Sequence, residues 1–195
     1  PNMKVVHLYD GHEKVHEGKG SLPRIIWNIA SRTAERGHDV TILERQWDGL
    51  ASKAHHDSVE FRRICLRTGS DDPWEEVPYD MVMSATGTSR LIIDRTNFAL
   101  RVLPHLTRTD YDIIHCYLPF AANVLVTIAP WLRKRMVYTA QLGELRLNSL
   151  SDDESTTLNA PGFLERFSPD MYLANRAAKT TVLNQNVRDI FISNG

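Results

Sequence analysis

Four consecutive residues stand out as able to do chemistry, Gly18-Lys19-Gly20-Ser21. They end a loop that begins at Gly11, follows the apolar run Val5-Val6-His7-Leu8-Tyr9 and precedes a segment of helical periodicity. Backbone N–H groups at the start of a helix, where the dipole is positive, bind phosphate oxygens. Gly18, Gly20 and Ser21 are therefore candidates for phosphate contact, and Lys19 adds a point charge. The competing reading is a tight turn with a solvated lysine. Gly18 and Gly20 match the first half of a Gly-x-Gly-x-x-Gly fingerprint, but the third glycine position holds Pro23.

Further candidates lie where apolar runs end. In Tyr111-Asp112-Ile113-Ile114-His115-Cys116-Tyr117, His115 reads either as a core histidine or as a catalytic one. Tyr117 lies nearer the carboxyl end, where open α/β sheets bind ligands. Gln141 follows the next apolar run, Met136-Val137-Tyr138-Thr139, and Arg146 lies beyond it, so these residues are expected to share one edge with Gly18 to Ser21. His12 and His16 have a spacing that suits a metal on a helix, but the glycines place them in a loop, and no metal site is expected. Cys65 and Cys116 sit in apolar runs and read as small buried hydrophobes.

The elements that position these residues follow from periodicity. Leu22, Ile25, Ile26, Ile29, Ala30, Thr33 and Ala34 share one helical face. Ser21 is the expected N-cap, Pro23 is tolerated in the first turn, and Gly37 suits the left-handed residue after the helix. A strand at Val40-Thr41-Ile42-Leu43 completes a βαβ unit. Gln46 to Ser58 and Thr68 to Val77 read as loops flanking a strand at Val59 to Leu66. Ser89 is expected to cap a helix ending near Leu106, and Pro119 to open another with Leu118, Ala122, Leu125, Ala129 and Leu132 on its buried face. The basic turn Arg133-Lys134-Arg135 complements that helix's dipole; a membrane or phosphate role is the alternative. A loop at Gln141 to Asn159, a helix from Gly162 to Ala174, a strand from Lys179 to Leu183 and a helix from Gln185 to Ile192 finish the order. Strands alternating with helices predict an α/β, Rossmann-like, doubly wound and mostly parallel sheet.

Composition narrows the function classes. The chain has 195 residues, with 23 basic and 24 acidic side chains and a net charge of -1. That length suits one domain spanning 1–195, and that balance gives no nucleic-acid footprint. No run approaches the roughly 18 apolar residues of a membrane span, and no leader is read, so a cytoplasmic location is expected.

Three blocks carry a resemblance: Gly18-Lys19-Gly20-Ser21-Leu22 followed by Glu35-Arg36-Gly37-His38-Asp39-Val40; Tyr111-Asp112-Ile113-Ile114-His115 with Pro119; and Val137-Tyr138-Thr139-Ala140-Gln141. The chain resembles the N-terminal half of a GT-B glycosyltransferase of the retaining family 4. The resemblance implies an acceptor-side domain whose glycine loop touches the donor's phosphates. A C-terminal nucleotide-sugar-binding domain, not within this chain, is the implied partner. It further implies a hexosyltransferase-type enzyme, inactive as this half alone. The donor would be a nucleotide-diphosphate sugar, with no separate cofactor and no metal. The acceptor would be a sugar, a lipid-linked or a phosphorylated molecule, with peripheral membrane contact open. Where the family usually has histidines, this chain has Tyr117 and Gln141, which take the catalytic-site positions. Arg146 falls where family members acting on phosphorylated acceptors often carry a basic residue, and Glu144 is the second acceptor candidate. The same architecture serves nucleotide-sugar epimerases, and a non-catalytic regulatory half-domain is the other alternative.

Overall fold

A computed structural model of the chain describes residues 1–66, 84–141 and 168–194. Strand β1 (Lys4–Leu8) leads through the glycine loop to helix α1 (Ser21–Glu35) and β2 (Asp39–Arg45). A hairpin of β3 (Lys53–His56) and β4 (Val59–Ile64) follows, then α2 (Ala85–Arg108), β5 (Ile113–Cys116) and α3 (Ala121–Ile128). A 3-10 turn at Pro130–Arg135 leads into β6 (Met136–Ala140). Helix α4 (Pro169–Ala174), β7 (Lys179–Val182) and α5 (Gln185–Asn194) complete the described chain.

The strands form one seven-stranded sheet in the order β3-β4-β2-β1-β5-β6-β7, parallel except for β3. Chain order reverses direction between β1 and β5, so the crevice outside their carboxyl ends is the topological switch point. This is the Rossmann-like α/β fold expected. Each face has its own core. Val6, Leu8, Phe98, Val102, Leu125 and Tyr138 pack on the α2–α3 side, and Ile26, Ala30, Val40, Ile42, Phe61 and Tyr117 on the α1 side. Period-two alternation explains the split: in β1, Val6 and Leu8 face one way, and His7 and Tyr9 the other.

Several local expectations are corrected. The stretch 46–58 is not all loop, since β3 pairs antiparallel with β4 there. Asp57 (φ 45°) and Ser58 (φ 67°) make the two-residue turn, both left-handed as a hairpin of this kind requires. The cap of α2 is Ser84, whose Oγ accepts from Gly87 N at 2.9 Å; Ser89 lies inside the helix and donates to Ala85 O. Cys65 is exposed, while Cys116 is buried as read. Gly37 holds the left-handed position after α1 (φ 87°), and its N–H donates to Ala34 O at 2.9 Å. Arg133 Nε donates to Val126 O at 2.7 Å, so it satisfies a C-terminal carbonyl of α3, the structural role weighed for that basic turn. Of the expected 162–174 helix, 168–174 is described, with Ser168 as the cap and Pro169–Ala174 helical, and the acidic stretch Thr68 to Val77 lies outside the described residues. No helix among the described residues is long and apolar enough to cross a membrane.

Candidate functional site

The loop after β1 opens at the switch point, and buried charges tie it down. Arg45, at the end of β2, donates from Nη2 to Asp10 O and from Nε to Gly11 O, both at 2.7 Å. Glu44 accepts from Val15 N at 2.9 Å and pairs with Arg63 Nε at 2.9 Å. Burial pushes the Glu44 carboxyl above its ordinary value, and these two donors pull it back down. Glu17 turns the loop with a left-handed backbone (φ 59°), and Gly18 N donates to Val15 O at 3.3 Å. A Cβ on Gly18 would overlap the Lys14 carbonyl oxygen and come within 2.7 Å of Pro23 Cβ. Both obstacles belong to stiff parts of the chain. Gly18→Ala is therefore expected to destabilise the domain by about 1–3 kcal/mol, read as a lower urea midpoint at unchanged m-value. An unchanged midpoint would show that the loop yields freely.

At the start of α1 the observed cap is Gly20, with no side-chain cap bond. Ser21 is the first helical residue and is exposed, which corrects its expected capping role. The donors are satisfied from further back in the chain. The Glu13 carboxylate accepts from Gly20 N, with both oxygens at 2.9 Å, and from Lys19 N. The Lys19 and Gly20 N–H groups thus meet an anion, one supplied by the protein itself. A Cβ on Gly20 would overlap Glu13 Oε2, so the missing side chain is what lets a carboxylate approach. The Lys19 side chain is exposed.

Behind the loop lies a cluster of charged residues that inspection of the sequence missed. Asp94 on α2 accepts from Arg45 Nη1 at 2.9 Å and from Arg95 Nη1 at 2.6 Å. Arg95 Nε lies 3.2 Å from Asp10 Oδ2, and the same carboxylate accepts from Ala121 N, at the start of α3, at 3.1 Å. All four side chains are buried. Arg95 Nη2 lies 3.2 Å from His12 Nδ1, and burial together with this guanidinium lowers the His12 pKa to about 3. The signal for the cluster was present in the sequence. Asp94 and Arg95 occupy apolar positions of an amphipathic period between Leu91 and Phe98, and Glu44-Arg45 extends an apolar strand.

Tyr117 does not stand in the open crevice. It is 0% exposed, and its hydroxyl lies 2.7 Å from His7 Nδ1 and 3.3 Å from His115 Nδ1. His115 Nε2 continues to Thr139 Oγ1 at 2.7 Å, and Thr139 Oγ1 to Thr181 Oγ1 at 2.7 Å. This polar row crosses β1, β5, β6 and β7 on one sheet face. Burial lowers the His7 pKa to about 3, helped by His115, and lowers that of His115 to about 4. It also raises that of the Tyr117 hydroxyl well above the ordinary value. Tyr117 as a substrate-touching catalytic residue is thereby corrected: it bridges two neutral histidines, His7 in the core and the half-buried His115. Gln141 directly follows β6 at the carboxyl edge and is half-buried. Arg146 and Glu144 lie outside the described residues. His16 stacks on His56 with ring centroids 4.0 Å apart, and among the described residues no three His, Cys, Asp or Glu side chains group to hold a metal.

The family model for Glycosyltransferase Family 4 matches residues 22–195, beginning just after the glycine loop. Among solved structures, the chain is similar to a sucrose-phosphate synthase from Thermosynechococcus elongatus, with a TM-score of 0.70 at 10% identity. That match covers 99% of this chain and 45% of the other, so the chain spans less than half the length of the enzyme it resembles. A second structure of a sucrose-phosphate synthase from Thermosynechococcus elongatus matches with a TM-score of 0.53 at 13% identity, over 98% of this chain and 95% of that one. At such identities the likeness shows the fold, the Rossmann-like unit of a GT-B architecture. No curated protein matches the chain.

Proposed function

Because the chain belongs to glycosyltransferase family 4, we propose that it forms the acceptor-side half of an enzyme that passes a sugar from a nucleotide-diphosphate donor to an acceptor hydroxyl with retained configuration. One observation within the chain supports this reading most. At the switch point, the Lys19 and Gly20 N–H groups are aimed at an anion and already hold a carboxylate. As the sugar leaves, charge grows on the donor's diphosphate. N–H groups fixed beforehand, by a loop tied to Arg45 and Glu44, stabilise that charge without reorganising. In this reading Gly18, Lys19, Gly20 and Ser21 line the diphosphate. The Gln141 amide, able to donate and accept, meets sugar hydroxyls at the end of β6. Arg146 and Glu144 hold the acceptor. No general base from this half enters the reaction, which agrees with the low pKa values and burial of His7 and His115. The donor-binding partner is a second domain of the same enzyme, hexosyl transfer is the reaction, and the compartment is the cytoplasm, with contact at a membrane surface where the acceptor is lipid-linked.

The test uses the protein with both halves, incubated with a panel of nucleotide sugars and acceptors while nucleoside diphosphate release is followed. Turnover is expected there and not with the 195-residue chain alone. Transfer by the short chain would refute the division of labour, and silence of the two-domain protein across the panel would refute the activity.

A further inference from the structure

Two helices begin at the carboxyl edge of the sheet, and carboxylates from the loop after β1 occupy both N-termini. Asp10 serves α3 and Glu13 serves α1. They are held differently. Asp10 is 3% exposed and ion-paired with Arg95, so its charge is neutralised in place. Glu13 is half-buried, and the hydrogen bonds its carboxylate accepts among the described residues come from the Lys19 and Gly20 N–H groups, with the buried Tyr9 hydroxyl feeling its charge as well. The nearest basic neighbour in sequence, Lys14, pairs with Glu17 instead, at 3.7 Å. The backbone on either side of Glu13 is pinned: Arg45 holds the Gly11 carbonyl and Glu44 holds the Val15 N–H. A rotamer change at Glu13 can therefore swing the carboxylate off the N–H groups while the loop stays in place.

We propose that Glu13 is a built-in competitor for the donor's phosphate. Its carboxylate occupies the Lys19 and Gly20 N–H groups and must leave before a phosphate oxygen can take them. The proposal rests on the reading above, that the glycine loop is a phosphate site. Competition lowers the apparent affinity for every anion by the fraction of molecules with Glu13 undocked. A single-charge anion gains little by replacing a carboxylate that is already in position. A diphosphate brings more charge to the same helix terminus and displaces it. The device thus sets a threshold that favours polyphosphates over carboxylates and other small anions, which is selection by a competing interaction.

Inorganic pyrophosphate titrated into the chain tests this, with calorimetry for affinity and the amide resonances of Lys19 and Gly20 for location. Glu13→Gln and Glu13→Ala are each expected to bind pyrophosphate about tenfold more tightly than the parent. Glu17→Gln removes the same charge from the same loop without touching those N–H groups, and should change affinity less than about twofold. A gain with Glu17→Gln as large as with Glu13→Gln would mean that bulk charge alone acts, and the proposal fails. Equal affinities in parent and Glu13 variants, with the Lys19 and Gly20 resonances still shifting, would overturn the competition and leave the phosphate site standing. Resonances that stay still in every protein would overturn both.

Discussion

Asp94→Ala is expected to destabilise the domain by about 3–5 kcal/mol, the loss typical when one partner of a buried ion pair is removed. Asp94 is 0% exposed and accepts from both Arg45 and Arg95. Without it, two guanidiniums remain out of water against the single carboxylate of Asp10. Urea unfolding of the parent and the variant measures the difference. A comparison comes from Asp110→Ala, which breaks the Arg135–Asp110 pair at 3.0 Å. Asp110 is 92% exposed, so that pair is well screened, and its removal should leave the midpoint nearly unchanged. Equal effects at the two positions would show that the buried cluster is not what holds the loop to α2.

The second large effect is on acid stability. His7 is fully buried, and its pKa falls from 6.5 to about 3 on folding. Below pH 6.5 the unfolded chain takes up a proton that the folded chain refuses. The stabilisation is therefore complete above 6.5 and is lost progressively as pH falls toward 3. Between pH 7 and pH 5 this amounts to about 2 kcal/mol from His7 alone. His115, with its pKa lowered to about 4, acts in the same direction. Glu44 acts oppositely, because its carboxyl is raised and protonates sooner in the folded state. The informative quantity is thus a difference of differences. His7→Gln should reduce the stability lost between pH 7 and pH 5 by about 2 kcal/mol, whatever it does at pH 7. A variant with the parent's pH slope would mean that His7 accepts a proton inside the fold.

Much of the architecture was legible because the sheet is parallel and two-sided. Apolar runs such as Val40 to Leu43 and the three-four spacing along α1 have no other use. The hairpin strand β3 was not legible. Lys53-Ala54-His55-His56 is an edge strand with one weakly apolar face, and its turn uses Asp57 and Ser58 rather than glycine. Ser21 has the right chemistry for a cap but stands one residue inside the helix. The cap it would have supplied comes from Glu13, seven positions before Gly20, beyond the reach of any local capping pattern. Tyr117 was misplaced by one consideration overriding another. Lying past the end of β5 suggested the crevice, yet the alternation that sets His115 beside His7 continues one step further and carries Tyr117 to the α1-side core. The tight turn into α1 was visible in Gly18 and Gly20. The charges that hold it were visible only as anomalies, ionic residues at apolar positions.

The placement of β1 at the centre also bears on how the chain assembles. Its two neighbours reach it over very different lengths of chain. Loop and strand contacts on the β2 side, such as Arg45 to Asp10, join residues 35 apart. On the β5 side, Lys4 N meets Asp112 across 108 positions. Closing the longer loop takes about 1 kcal/mol more chain entropy. The half containing β1, α1, β2 and the hairpin can gather from local encounters, whereas the seam along β1 and β5 waits on a distant one. That seam lies directly beneath the crevice, so the candidate site is completed by the most entropically demanding pairing in the described sheet.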